Sequence, residues 1–211
     1  RKSGFDKLKN NIMFAGSNAK VDEFKCLEEL NRLNQDNDVM LNFIYRPHPW
    51  SGGGHNGYRF NLIKWKNIKI DDYSKVYLKQ LNKRNLPMSF PNQHDTYKVL
   101  GQVNITISPL STIILETMIS GRLAFAYIPN DKNSFYINTI LKNLIHFKEI
   151  LNSGALPILT SAQEIITHCL KYQEFENYKS LLMRQQILLP LIINTFEEEW
   201  SFRFKKFIKN L

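Results

Sequence analysis

Two short segments of the chain combine residue types that hold phosphate. The first is Tyr45-Arg46-Pro47-His48-Pro49-Trp50. Two prolines stiffen the backbone around one guanidinium and one imidazole, and both groups donate to phosphate oxygens, Arg46 in a bidentate manner. The alternative is a proline-stopped strand whose His48 caps a neighbouring carbonyl. The second segment is Ser108-Pro109-Leu110-Ser111-Thr112-Ile113-Ile114-Leu115-Glu116. Ser108 is expected as a helix N-cap with Pro109 at the first helical position. Ser111 and Thr112 add hydroxyls to a turn rich in N–H groups, where the helix dipole favours an anion. Glu116 lies about one turn beyond Thr112 and shares its face, placed to accept from ribose hydroxyls. Here the alternative is a plain capped helix with Glu116 solvated or paired to a lysine.

The elements around these segments place them on one edge of a sheet. Ile12 to Ser17 reads as a short buried strand, and Val21 to Leu33 as a helix with Val21, Phe24, Leu27, Leu30 and Leu33 on one face. Val39 to Tyr45 is a second strand, stopped by Pro47 and Pro49. Asn67 to Asp71 is a third. A helical stretch runs from Tyr73 to about Arg84, and a short helix from Asp95 to Gly101. Asn104 to Ser108 is a β-branched strand. Ser111 to Ser120 is a helix closed by Gly121, and Leu123 to Ile128 a further strand. Phe135 to Asn143, Ile145 to Leu151, Ala162 to Tyr172 and Thr195 to Lys209 read as helices, with Leu156 to Leu159 an edge strand. Strands alternating with helices predict an α/β, Rossmann-like parallel sheet of five or six strands with helices on both faces, plus C-terminal helices. Ligands of such sheets bind beyond the carboxyl ends of the strands. The loops after Ser17, Tyr45, Asp71, Ser108 and Ile128 are therefore the places to search. Arg46 and His48 are expected to face the Ser108–Thr112 segment across a crevice.

Composition narrows the class. With 211 residues, 43% hydrophobic and 12% aromatic, the chain is not disordered. Lysine and arginine number 28 against 19 acidic residues, a net charge of +9 that favours anionic partners: phosphorylated ligands, nucleic acid or an acidic membrane surface. Cys26 and Cys169 stand in no motif, as expected for two thiols in a reducing compartment. No apolar run approaches the roughly 18 residues of a membrane span. The single expected domain is 1–211, with 194–211 as a C-terminal helix.

The order strand, Arg-Pro-His-Pro, then strand, Ser-Pro-x-Ser-Thr-x-x-x-Glu-x-x-x-x-Gly, then apolar strand resembles the C-terminal half of GT-B glycosyltransferases. It is similar to bacterial surface-polysaccharide enzymes: capsule and lipopolysaccharide transferases, sialyl- and polysialyltransferases, and CDP-glycerol polymerases. The nucleotide-sugar 2-epimerases share the outline. The resemblance covers about residues 10 to 165. It implies that His48 contacts the donor phosphate and eases its departure. It further implies that Arg46, Ser108, Ser111 and Thr112 bind the phosphates and that Glu116 lies near the ribose. The implied substrate is a nucleotide-activated sugar or polyol, CMP- or CDP-linked with UDP second, and the acceptor a glycan or lipid-linked glycan. No cofactor and no metal ligand are expected. The implied location is cytoplasmic, at the inner face of the membrane. GT-B enzymes carry the acceptor and the catalytic base on an N-terminal domain. Only one such domain fits here, so that domain is expected to be missing from this sequence.

Other features are set aside. Ser51 to Gly57 is a surface loop, or a lid over the donor, and no dinucleotide fingerprint, since no helix follows. His94, His146 and His168 lack metal-ligand spacing. Asp71 and Asp72 are adjacent, which on a strand sends them to opposite faces, so they are read as a strand end and turn. Trp200, Phe204 and Phe207 form an apolar stripe between acidic and basic turns; core packing is the first reading and peripheral membrane docking the second. The rival readings are a nucleotide-sugar epimerase or hydrolase, for which no extra carboxylates are found, and a basic nucleic-acid-binding protein, for which the basic residues are too dispersed.

Overall fold

The computed structural model describes residues 11–17, 21–35, 41–48, 65–75, 92–130, 139, 143 and 145–192. The expected helices at 195–209 and over most of 135–143, the stretch from 76 to Arg84, and the Gly52–Gly57 loop lie outside the described residues, as do Pro49 and Trp50.

Six parallel strands form one sheet: β1 (Asn11–Ala15), β2 (Asn42–Arg46), β3 (Ile68–Ile70), β4 (Ile105–Ser108), β5 (Leu123–Tyr127) and β6 (Ile158–Leu159), in the order β3-β2-β1-β4-β5-β6. The helices are α1 (Glu23–Leu33), α2 (Gln93–Gln102), α3 (Thr112–Ile119), α4 (Ile145–Asn152), α5 (Ala162–Lys171) and α6 (Phe175–Ile192). The expected α/β parallel architecture is the one observed. The progression of strands reverses direction between β1 and β4, which opens a crevice at their carboxyl ends.

Both faces of the sheet are covered, and β1 shows why its sequence is apolar throughout. Alternate residues of a strand point to opposite faces. Ile12 and Phe14 join the main core with Phe24, Leu27 and Leu30 of α1 and with Ile165 and Ile166 of α5. Met13 and Ala15 pack on the other face with Val99 and Leu100 of α2. Tyr45 of β2 sits in a nest of rings, with centroids 6.2 Å from Phe14, 6.5 Å from Phe24 and 5.9 Å from Trp65. This packing locks the ring and fixes where its hydroxyl points.

One helix was not anticipated. The run around Ile187 with Pro190 suggests interrupted structure, yet residues Phe175–Ile192 form a continuous helix with Pro190 inside it. Tyr178, Leu181, Gln185 and Leu189 form its buried stripe, while Met183 and Ile187 are exposed. A polar residue inside and apolar residues outside blur the amphipathic pattern on which a helix is read. Gln185 is buried because its amide accepts from Ala124 N–H at 3.1 Å and donates to the carbonyls of Ala124 at 2.8 Å and Ala155 at 3.0 Å. Among the described residues, no helix is long and apolar enough to cross a membrane.

Candidate functional site

The carboxyl ends of β1, β2 and β4 wall a crevice of about 170 Å³. Ala15 and Gly16 come from β1, Arg46, Pro47 and His48 from the end of β2, Thr96 from α2, and Ser111, Thr112, Ile113 and Glu116 from α3 and its approach. The two segments singled out in the sequence therefore meet across one opening. Of the expected site residues, Arg46, His48, Ser111, Thr112 and Glu116 all line it. The loop after Ile128 contributes no lining residue among those described.

Ser108 has a different place. It is the last residue of β4, fully buried, and the N-cap of α3 is Ser111, not Ser108. Pro109 and Leu110 are an extra turn between strand and helix, so Pro109 is not at the first helical position. The Ser108 hydroxyl lies 2.9 Å from the Pro109 carbonyl and 2.9 Å from the Ser111 hydroxyl. Ser111 makes no side-chain bond to its own helix. The first-turn N–H groups, which by helix geometry have no intrahelical acceptor, remain for a ligand at the edge lined by Thr112 and Ile113. At the other end the helix closes as expected. Gly121 has φ +67°, its N–H donates to Met118 O, and the Arg122 N–H donates to Thr117 O.

Arg46 is held more firmly than the sequence suggests. Its Nη1 donates to Asp71 Oδ2 at 2.8 Å in a buried ion pair, and its Nη2 donates to Thr96 Oγ1 at 2.8 Å. Part of the fork expected for phosphate is thus committed to protein, although the guanidinium still lines the crevice. Asp71 is in turn fixed by the Ser74 hydroxyl at 2.8 Å and the Tyr73 N–H at 3.3 Å. The reading of Asp71-Asp72 as strand end and turn holds, with Asp72 exposed and paired to Lys75. It missed that Asp71 orients Arg46. Thr96 was missed too, since nothing in Asn92-Gln93-His94-Asp95-Thr96 marks one hydroxyl of a surface helix as facing the crevice.

Burial sets the charge state of the remaining groups. Half-burial holds the His48 imidazole below the usual histidine range, so the ring is neutral at neutral pH. Burial pushes the Glu116 carboxyl up, and the Arg46 charge draws it partly back. Behind the crevice wall stands Glu23, the first residue of α1 and almost fully buried. Its Oε1 accepts from the Ser17 N–H at 2.6 Å and its Oε2 from the Tyr45 hydroxyl at 2.7 Å. Gly16 is pressed between this carboxylate and the end of β2: a Cβ there would lie 2.5 Å from Glu23 Oε2 and 2.9 Å from the His48 nitrogen. Only glycine fits so close an approach. Both cysteines are buried free thiols, Cys26 pushed up to about 12. His94 is exposed, and His168 places Nδ1 3.0 Å from the Glu164 carbonyl. Among the described residues, no group of His, Cys, Asp or Glu is arranged to hold a metal ion.

A parallel α/β sheet with a polar crevice at its topological switch point defines a Rossmann-like ligand-binding domain. Among solved structures, the chain is similar in fold to the C-terminal CMP-Kdo binding domain of WaaA from Acinetobacter baumannii. The likeness has a TM-score of 0.51 at 14% identity, covering 87% of this chain and 90% of that one. No protein-family model matches the sequence, and no curated protein matches it.

Proposed function

We propose that this chain is the donor-binding domain of a glycosyltransferase, taking a sugar or polyol activated by CMP, CDP or UDP for transfer to a surface-polysaccharide acceptor. The observation that carries the reading is the shared crevice: His48, Arg46 and the first turn of α3 converge at the carboxyl edge of the sheet. A neutral imidazole donates one N–H without adding a full charge, which suits hydrogen bonding to a donor phosphate. As the glycosidic bond breaks, negative charge grows on that phosphate, and donors already in place stabilise it. His48 would supply one such donor and the α3 amides with Ser111 and Thr112 others. Arg46, oriented by Asp71 and Thr96, would add the positive charge. Glu116, one turn along α3, is placed for ribose hydroxyls. The fold shared with a domain described as CMP-Kdo binding supports a cytidine nucleotide as the first choice. The acceptor and the base that activates it would come from a second domain.

The test is a thermal-shift titration of this chain with CMP, CDP, UDP, GDP and a short oligonucleotide. A ligand at 100 times its dissociation constant adds about 2.7 kcal/mol to stability. A shift with a pyrimidine nucleotide, weakened at least about tenfold in affinity by His48→Ala, is expected. A salt-sensitive shift with the oligonucleotide alone would replace this reading with nucleic-acid binding.

A further inference from the structure

We propose that Glu23 is a positioning residue of the crevice, and that anion binding there is linked to uptake of a proton by the Glu23 carboxyl group. The inference rests on the crevice binding a nucleotide phosphate, as proposed above.

The geometry ties Glu23 to two of the three strand ends that form the site. Through Oε1 it holds the Ser17 N–H, and so the turn that follows β1. Through Oε2 it holds the Tyr45 hydroxyl, one residue before Arg46. Gly16, which lines the crevice, is all that separates the carboxylate from the ligand side, because a Cβ on Gly16 would fall 2.5 Å from Glu23 Oε2. A carboxylate thus stands behind an anion site at the distance of one glycine. An ionised Glu23 and a bound phosphate repel each other through a low-dielectric wall, where the interaction is stronger than in water. A protonated Glu23 removes that repulsion. Protonation at Oε2 leaves Oε1 to hold Ser17 and turns the new O–H toward Tyr45, so the turn keeps its anchor in either state.

The surroundings keep this proton within reach of neutral pH. Burial pushes the Glu23 carboxyl up to about 7 against the bonds from Ser17 and Tyr45, and the neighbouring Asp22 carboxylate pushes the same way. The other groups packed nearby hold no charge. Cys26 on α1 and Tyr45 on β2 are both driven up by burial, as is Cys169 of α5, the helix packed on α1. Across Gly16 lie Arg46 and His48 of the β2 end and Glu116 of α3. His48 is held low by burial and stays neutral over the same range. Linkage is reciprocal: if the anion favours the proton, the proton favours the anion to the same extent.

The experiment uses the methyl ester of cytidine 5′-monophosphate, whose phosphodiester carries one charge throughout, with inorganic pyrophosphate as a second probe. Calorimetric titrations between about pH 6.5 and 8.5, in two buffers of different ionisation enthalpy, read affinity and proton uptake together. Wild type is expected to lose affinity by roughly fivefold or more across this range and to take up a fraction of a proton on binding. Glu23→Gln, the neutral isostere, is expected to bind with no such slope and no such uptake. Tyr45→Phe removes a bond that favours the ionised carboxylate, and is expected to move the fall in affinity to higher pH. Melting curves establish that both variants are folded, and the slope rather than the absolute affinity is compared. A Glu23→Gln protein with the wild-type slope, or a wild type that binds without proton uptake, overturns the linkage alone. Failure of both probes to bind at any pH overturns the anion crevice and the linkage with it.

Discussion

Arg46 and Asp71 form an ion pair of 2.8 Å whose side chains are only 9% and 3% exposed. The two residues end neighbouring parallel strands, and the Asp71 N–H also donates to the Tyr45 carbonyl at 2.8 Å. The pair therefore fixes a cation at the sheet edge by the same local geometry that ends β2 and β3. A fixed guanidinium loses less freedom when a ligand arrives than a mobile one.

Removing one partner of such a pair leaves a buried charge without compensation, at a cost of about 3–5 kcal/mol. Asp71→Ala is expected to lie in that range by urea denaturation. Asp72→Ala, which breaks only the exposed pair with Lys75, is expected to cost less than about 1 kcal/mol. Equal effects from the two substitutions would contradict the assignment of Asp71 as the residue that orients Arg46.

Gly16→Ala forces a methyl group against Glu23 and the His48 backbone. The His48 nitrogen cannot yield as a side-chain end can. A destabilisation of about 1–3 kcal/mol is expected, together with loss of the thermal shift by any nucleotide, since the displaced segments are two walls of the crevice. Gly101→Ala serves as the control, because its Cβ meets nothing within 4 Å. A Gly16→Ala protein that retains wild-type nucleotide affinity would show that this wall does not matter to the ligand.

Ser111 is expected to separate stability from binding. An N-cap serine that bonds its own helix costs about 1 kcal/mol when changed to alanine. Ser111 makes no such bond and is joined to Ser108 instead. Ser111→Ala is therefore expected to cost less than Ser161→Ala, since Ser161 does cap α5, accepting from the Glu164 N–H. Calorimetry should find Ser111→Ala nonetheless weaker for nucleotide by several-fold. A large loss of stability with unchanged affinity would make it an ordinary cap.

Glu23 also gives the fold a pH dependence of definite sign. Its pKa is raised in the folded state, so the folded chain binds more protons than the unfolded chain above the ordinary carboxylate range. The contribution is fully present below that range and is lost as pH rises through about 7. Up to about 3 kcal/mol is at stake. Urea midpoints are expected to fall between pH 5 and pH 8 in wild type and to fall much less in Glu23→Gln. A wild-type midpoint that rises over this interval would contradict the buried carboxylate.

Much of this site was legible because its signals are local. A proline-bounded histidine and arginine, and a serine–threonine turn before Glu116, carry their geometry in consecutive residues. Strand and helix alternation then brings them to one edge, and the expected crevice is the one the fold forms. What the sequence hid was long-range. Asp71 reads as a turn residue until Arg46, far earlier in the chain, is seen to reach it. Glu23 reads as part of the wet face of α1, since nothing in the helical spacing shows Tyr45 and the Ser17 N–H closing over it. Ser108 fits the local rule for a cap, yet strand pairing with Ala126 claims it for β4 and moves the helix start along the chain.

The amide of Gln185 occupies a place where a strand would otherwise be. β6 pairs only with Ala126 and Tyr127, so the outward N–H and carbonyl of Ala124 lie beyond its reach. The Gln185 side chain meets both, as a peptide unit of a neighbouring strand would. An uncovered strand edge is a template for pairing with other chains. By this substitution a helix side chain works as a guard against self-association. Loss of that one amide would leave the domain folded around an open edge, inviting strand-to-strand assembly.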